Sequence, residues 1–461
     1  MGAQPAGQVR IGVEQLDAPA DPFALAGVPG VRFPQVHTVR GWRVVLGDPV
    51  AVLRDPVALD DIGRGCDWRG ERDAGAPPFT GGAAGFLSDA CSAGFVDLAT
   101  GDTRPAFAPL PAMRLGLYDG AVCIPPGGQA SLLVAAALPG VVRTSVADRL
   151  DELRRWVSAS RSVPADVDAG APAPTDAALS LTRPAHAAAV RRILGWIAAG
   201  DLYQLNLTLQ VAVGWAGGGL ALARRLEAAS PGAAHAAYVR LPGGAEIVSV
   251  SPETFLRTDG DRVTTRPIKG TRPRHDDPSR DAAAARALQE SVKDQAEHVM
   301  IVDLERNDLG RVSVPGTVRV PELAGLEGHP TVWHLTSTVV GRLRDEVGLG
   351  GLLRATFPSG SVTGAPKRMA VERTRLVEPV RRGVYCGALG VVSRGLVDLS
   401  VGIRTAVVAG PVASYGTGGA IVADSDPGEE FAEAMVKAAA FLRVTNGRIG
   451  SPGRDGGDSA S

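Results

Sequence analysis

Carboxylates at helical spacing and one lysine at the end of a strand-like run are the groups in this 461-residue chain with the clearest chemical potential. Asp294 and Glu297 are three apart, and Glu430, Glu433 and Lys437 are three and four apart, so on helices each set occupies one face. Two such faces brought together suit a hard cation such as Mg²⁺, which takes oxygen ligands and keeps positions open for water or an anionic substrate. The same spacing also fits a solvated helix surface, with Glu433 and Lys437 as an exposed i,i+4 pair. Other chemistries are excluded. Ser359 to Lys367 lacks the GxxxxGK[ST] spacing of a phosphate loop, and Cys66, Cys91, Cys123 and Cys386 form neither a CxxC pair nor a metal-ligand pattern.

The elements that position these groups are partly legible. Val190, Ile193, Leu194 and Ile197 recur at helical spacing and Gly200 stops the helix, before the alternating Tyr203, Leu205, Leu207 run begins a strand. Ala236 to Leu241, Ala245 to Val250 and Val263 to Ile268 are β-prone runs separated by glycine-rich turns, which predicts an antiparallel meander with Glu253 and Lys269 at the ends of neighbouring strands. Ser279 to Val299 reads as helix, Gly364-Ala365-Pro366 opens another, and Pro427 to Leu442 makes a further one. Strands and helices in this mixed order predict an α+β fold. Residues 163–179, rich in Pro, Ala and Asp, read as a linker between an N-terminal region, 1–162, and a catalytic region, 180–446. The tail, 447–461, and the first ten residues read as disordered.

A formal net charge of −1 with no basic run gives no footprint for nucleic acid or an anionic membrane surface, so a small-molecule ligand is expected. The N-terminus lacks a basic stretch followed by an apolar one, and the longest apolar run, Leu132 to Val142, is broken by Pro139 and Gly140. With unpaired cysteines, this predicts a cytoplasmic protein.

Several segments resemble, in order, those of the chorismate-utilising enzymes, closest to the aminodeoxychorismate synthase component I branch. They are Asp201-Leu202-Tyr203-Gln204-Leu205-Asn206-Leu207-Thr208, Ser251-Pro252-Glu253, Arg266-Pro267-Ile268-Lys269-Gly270-Thr271, Glu297 to Asp308, Pro358 to Lys367, and Ile421 to Pro427. The resemblance spans roughly Thr182 to Lys437 and is weaker before it, where Phe79 to Phe86 is the best match. It implies two large antiparallel β-sheets packed as a sandwich with helices on the outside. It also implies that Glu297 and Glu433 ligate Mg²⁺, with Asp294 and Glu430 supporting. Arg404, Tyr385, Gly418 and Gly419 would hold the substrate carboxylate and enolpyruvyl group, with Gln204, Ser361 and Lys437 completing the substrate site. Two positions depart from the family pattern: Ala420 replaces a third glycine and Ala434 replaces a threonine.

The branch of the reaction follows from two positions. Family members that add water carry a lysine base where this chain has Gln204, and an amide is no base near neutral pH. Members that make anthranilate carry alanine where this chain has Lys269. The resemblance therefore implies that the Lys269 amine attacks C2 of chorismate as the C4 hydroxyl leaves, and that ammonia then displaces it to give 4-amino-4-deoxychorismate, a precursor of p-aminobenzoate and folate. Glu253 would be the acid for the departing hydroxyl and His334 would orient it. No cysteine sits in the Gly-x-Cys-x-Gly elbow of a glutaminase, so ammonia is expected from a separate glutamine amidotransferase subunit in a heterodimer. Two alternatives remain: an anthranilate synthase component I, and a non-catalytic paralogue that binds chorismate or an amino acid and regulates a partner. No Leu-Leu-Glu-Ser stretch for tryptophan feedback is present.

Overall fold

The computed structural model describes residues 10–72, 75–99, 101–128, 130–138, 145–164 and 172–449. The expectations for the first ten residues and the tail therefore fall almost wholly outside the described residues, as does the middle of the expected linker, 165–171.

Strands with side chains that alternate between two buried environments build the centre of the molecule. In Ala388–Ser393, Leu389 and Val391 enter one apolar layer while Ala388 and Val392 enter another. A strand buried on both faces must be a central one, covered by a second sheet on one side and helices on the other. Among the described residues, twelve strands form one sheet and ten form a second, and every pairing within both is antiparallel. Phe33, Val44, Phe79, Phe86, Tyr118, Val239, Leu389 and Val407 contribute to the layer between the sheets. Outer layers lie under helices: Val190, Leu222 and Phe441 on one side, Val302, Leu309 and Leu352 on the other. The fold is α+β, two packed antiparallel sheets with helices outside.

The N-terminal region is woven into both sheets. Gln35–Val39 pairs with His235–Arg240, and Gly82–Leu87 pairs with Ala388–Ser393. The linker thus separates two stretches of sequence whose strands share the same two sheets.

Two local readings are corrected. The meander is split: His235–Arg240 and Glu246–Ser251 pair in the first sheet, whereas Thr254–Asp259 and Arg262–Arg266 pair in the second. The chain crosses at Pro252, which cannot donate a ladder hydrogen bond, and Glu253 N–H donates to Ser251 Oγ instead, at 3.3 Å. The helix read from Ser279 to Val299 is two helices, Pro278–Gln289 and Val292–Gly310. Ser291 starts the second by accepting from Asp294 N–H at 3.2 Å.

Candidate active site

The long strand Gln204–Gly214 has two characters. Leu205, Leu207, Leu209, Val211 and Val213 pack into the helix-covered core, so Gln204, Asn206, Thr208 and Gln210 face the other way, all buried. Gln204 is fully buried, and neither its Oε1 nor its Nε2 has a partner among the described residues. A primary amide left unpaired in a protein interior costs about 1–3 kcal/mol, a cost that a polar ligand removes.

Beside this strand runs Val412–Ile421, with Thr208 opposite Gly418 and Leu207 opposite Gly419. A Cβ at Gly418 would come within 2.2 Å of Leu207 O, so no side chain fits there. A Cβ at Gly419 would stand 3.2 Å from Glu430 Oε2, 3.6 Å from Glu433 Oε1 and 3.8 Å from Lys437 Nζ. The helix Pro427–Thr445 thereby brings its polar face onto the glycine backbone. Lys437 Nζ donates to Gly418 O at 2.9 Å and pairs with Glu433 at 2.7 Å. Ala420 pairs with Asn206 in the regular ladder and is not at positive φ, so its methyl imposes no backbone strain. Ala434 is buried, and its carbonyl accepts from Thr417 Oγ1 at 2.6 Å.

The helix Val292–Gly310 supplies the opposing carboxylates. Burial raises the pKa of Glu297, and Asp294 and Glu430 push it the same way against the pull of Lys269 and Lys293. Burial likewise raises Glu430, which accepts from Ser425 Oγ at 2.6 Å and lies 3.9 Å from Lys293 Nζ. For Glu433 burial is the largest influence and acts upward, but Lys437 outweighs it and the net shift is down. Asp294 is held by Arg272 at 2.8 Å. This oxygen-only donor set, two glutamates on facing helices with like charges crowding them, fits a hard divalent cation with open positions. Among the described residues no three His, Cys, Asp or Glu side chains converge to ligand distance, so a cation held here would take most of its shell from water or substrate.

Lys269 lies in Ile268–Pro273, paired opposite Leu335. Desolvation lowers its pKa, and the Lys437 ammonium adds to that, while Glu297, Glu253 and Glu433 oppose it. Glu253, 3% exposed, is pushed up to about 7, first by desolvation and then by Glu305; Ser361, through a side-chain hydrogen bond, and Lys269 pull it down. Its Oε1 has no partner among the described residues. His334, on the neighbouring strand Val332–Arg342, pairs its Nδ1 with Thr271 Oγ1 at 2.9 Å, and burial, then Arg404 and His329, press its pKa down to about 4. The imidazole is therefore neutral at pH 7, able to orient a hydroxyl without adding charge.

Arg404 sits at φ 49° between two strands of opposite sheets, acting on both His334 and Tyr415, and no ion pair of it with an acidic side chain is found among the described residues. An unpaired guanidinium at a site edge suits a carboxylate, which it grips with a planar fork. Tyr385 is buried one layer away, packed on Gly416, where a Cβ would fall 2.1 Å from its ring. Its electrostatic neighbours are Cys386, Tyr415, Arg382 and Glu378 rather than Arg404. Contacts and mutual electrostatic influence link Glu253, Lys269, Ser361, Gly418, Gly419, Lys437 and the four carboxylates, and pair His334, on the strand next to Lys269, with Arg404; Gln204 shares its strand with the partners of Gly418 and Gly419, and Tyr385 is set apart from them.

Sequence reasoning passed over Lys293 and Thr271. Lys293 is four residues before Glu297, a helical spacing that could have exposed it. Thr271 carried no local signal, since only strand pairing brings it to His334.

All four cysteines are buried free thiols. Burial pushes Cys66, Cys91 and Cys123 up to about 12 and Cys386 higher still. None is an activated nucleophile. Among the described residues no helix is long and apolar enough to cross a membrane.

This chain belongs to the chorismate binding enzyme family, whose model matches residues 66–443. It is a chorismate-utilising enzyme of the aminodeoxychorismate and anthranilate synthase component I type. It is 37% identical over 414 residues to aminodeoxychorismate synthase component 1 of Salmonella typhimurium, covering 88% of this chain and 84% of that one. It is also 38% identical over 411 residues to anthranilate synthase component 1 of Streptomyces coelicolor, covering 86% and 77%. The crystal structure of anthranilate synthase component I from Streptococcus pneumoniae superposes with a TM-score of 0.73 at 26% identity, covering 96% of this chain and 93% of that one. A menaquinone-specific isochorismate synthase from Escherichia coli shares the fold, with a TM-score of 0.76 at 16% identity over 95% of each chain.

Proposed function

We propose that this chain converts chorismate and ammonia to 4-amino-4-deoxychorismate. The observation that carries the reading is Lys269: an amine at the heart of the site whose pKa is lowered by burial, next to a carboxyl raised to about 7. Overall similarity does not choose the product, because aminodeoxychorismate and anthranilate synthase components match equally well. The residue types at the reacting centre, Lys269 above all, favour aminodeoxychorismate.

Arg404, Gln204, Ser361 and the Gly418-Gly419 backbone bind and orient the substrate. Glu297 and Glu433, with Asp294 and Glu430 behind them, would hold a Mg²⁺, which when bound would supply positive charge for the ring carboxylate. The neutral Lys269 amine forms a bond to C2 while the C4–O bond breaks, and Glu253 gives its proton to the departing hydroxyl, which leaves as water. Ammonia then bonds at C4 as the C2–N bond breaks and gives its surplus proton to the Glu253 carboxylate, restoring both the lysine amine and the acid. Gln204, an amide where a base for water would stand, does not activate a competing nucleophile.

Ammonia comes from a separate glutamine amidotransferase in a heterodimer. Support comes from the four buried, unactivated thiols and from relatives that are themselves called components. The product serves p-aminobenzoate and folate synthesis in the cytoplasm.

The test is to incubate the purified chain with chorismate, Mg²⁺ and an ammonium salt and identify the product by chromatography with mass detection. Aminodeoxychorismate, retaining its enolpyruvyl group, supports the proposal. Anthranilate overturns it, and chorismate left untouched, with or without an amidotransferase, points to the regulatory paralogue.

A further inference from the structure

Behind Glu253 lies a second buried acid with no part in the reaction described above. Glu305, 1% exposed on the helix Val292–Gly310, accepts from Ser359 Oγ at 3.0 Å and from Gly360 N–H at 2.8 Å, both through Oε1. Ser359 Oγ is 3.0 Å from Ser361 Oγ, and Ser361, with the Ile268 backbone, acts on the Glu253 side chain. Two hydroxyls therefore join two buried carboxyls. The free oxygens, Glu253 Oε1 and Glu305 Oε2, have no hydrogen-bond partner among the described residues.

The charges around the pair do not neutralise it. Lys367 Nζ, from the helix Lys367–Val377, is bonded to Asp308, one turn beyond Glu305, and to Thr356 O at 2.8 Å. Arg311 also acts on Asp308. Lys367 lowers Glu305 while Asp308 raises it, so the one ammonium is shared between two carboxylates, and Glu305 in turn raises Glu253 against the pull of Lys269. In a poorly solvated interior two linked carboxyls resist ionising together, and their protons come off in steps that belong to the pair.

We propose that Glu305 is a positioning residue that keeps Glu253 in its proton-bearing form, coupled to it through the Ser359 and Ser361 hydroxyls. The inference rests on the reading of Glu253 as the acid of the reaction. Burial raises both carboxyls to about 7, and Glu305 adds to the rise at Glu253.

The experiment is the pH dependence of kcat for the full chain, with saturating chorismate and Mg²⁺ and with free ammonia held constant at each pH. Glu305→Gln keeps an acceptor for Gly360 N–H but removes the second ionisable group. The expected result is an alkaline limb moved about one unit to lower pH, so that kcat is about tenfold below wild type at pH 8, about twofold below it at pH 6 and nearly unchanged at pH 5, with KM for chorismate unchanged. Ser359→Ala cuts the hydroxyl link, leaves Glu305 in place and is expected to move the limb the same way. Limbs at the wild-type position in both variants, or a loss equal at every pH, overturn the proposal. Glu253→Gln separates the two readings: if it retains wild-type kcat, the acid role of Glu253 fails whatever Glu305 does.

Discussion

Glu253 and Lys269 emerge from the same end of two paired antiparallel strands. Thr254 pairs with Arg266, so the acid one residue before the first strand and the amine three residues past the second are neighbours by register. Burial drives their pKa values toward each other, Glu253 up and Lys269 down. The pair is thereby biased toward neutral acid and neutral amine, the protonation states that a nucleophilic lysine and a general acid need.

Replacing Lys269 with alanine removes the nucleophile while leaving the strand pairing intact. Formation of aminodeoxychorismate should fall by on the order of 10³-fold or more, as when covalent nucleophiles are deleted elsewhere. Normal turnover with ammonia, measured by mass detection, would remove the covalent role.

The pH dependence of stability follows from Glu253. Its folded pKa, about 7, lies above the unfolded value near 4.5, so the folded state holds the extra proton between those limits and stability declines as pH rises through them. Above about 7 the burial cost is complete, on the order of 3 kcal/mol. Glu253→Gln should therefore raise Tm at pH 8 while leaving it nearly unchanged at pH 4, although it abolishes turnover. A Tm gain as large at pH 4 as at pH 8 would contradict the shift.

Arg404 should act through binding. Losing a charge-assisted, two-pronged contact to a carboxylate costs about 2–3 kcal/mol, so Arg404→Ala should raise KM for chorismate by about 30- to 150-fold. Arg404→Lys should recover little, because a point ammonium does not reproduce the fork. An unchanged KM in steady-state kinetics would place the substrate carboxylate elsewhere.

Chelation of divalent metal should abolish chorismate consumption, and added Mg²⁺ should restore it. Glu297→Gln and Glu433→Gln should each raise the Mg²⁺ concentration needed for half activity by at least tenfold, while Glu430→Gln, tied to Ser425, has a smaller effect. Turnover that survives chelation would mean that the carboxylates serve only Lys269, Lys293 and Lys437.

What the sequence made legible was periodic or local. Leu205 to Val213 alternate because one face of their strand is core, and the helix read from Pro427 to Leu442 is found as Pro427–Thr445, with Asp426 as its cap. The crossover at Pro252 was missed because three β-prone runs with short turns look like one meander, although the proline itself was the signal that the ladder ends. The weaving of Gly82–Leu87 against Ala388–Ser393 had no local signal at all, since pairing across 300 residues depends on complementary faces rather than on neighbours in the chain. The Glu305 network lay in the same position: its residues stand in segments that had been read for resemblance, but only packing joins Ser359 to both acids.

The thiols bear on the ammonia source. A glutaminase needs a thiolate, and burial holds Cys66, Cys91 and Cys123 near 12, out of reach of ionisation at neutral pH. The purified chain should therefore produce nothing from chorismate and glutamine, yet turn over with an ammonium salt, faster as free ammonia increases up to about pH 7 and level above it, where loss of the Glu253 proton offsets the further gain in ammonia. Treatment with a small alkylating agent under native conditions should leave that ammonia-dependent rate unchanged. Glutamine-dependent turnover by the chain alone, checked by glutamate release, would show a nucleophile that the buried cysteines do not provide and would remove the need for a separate amidotransferase.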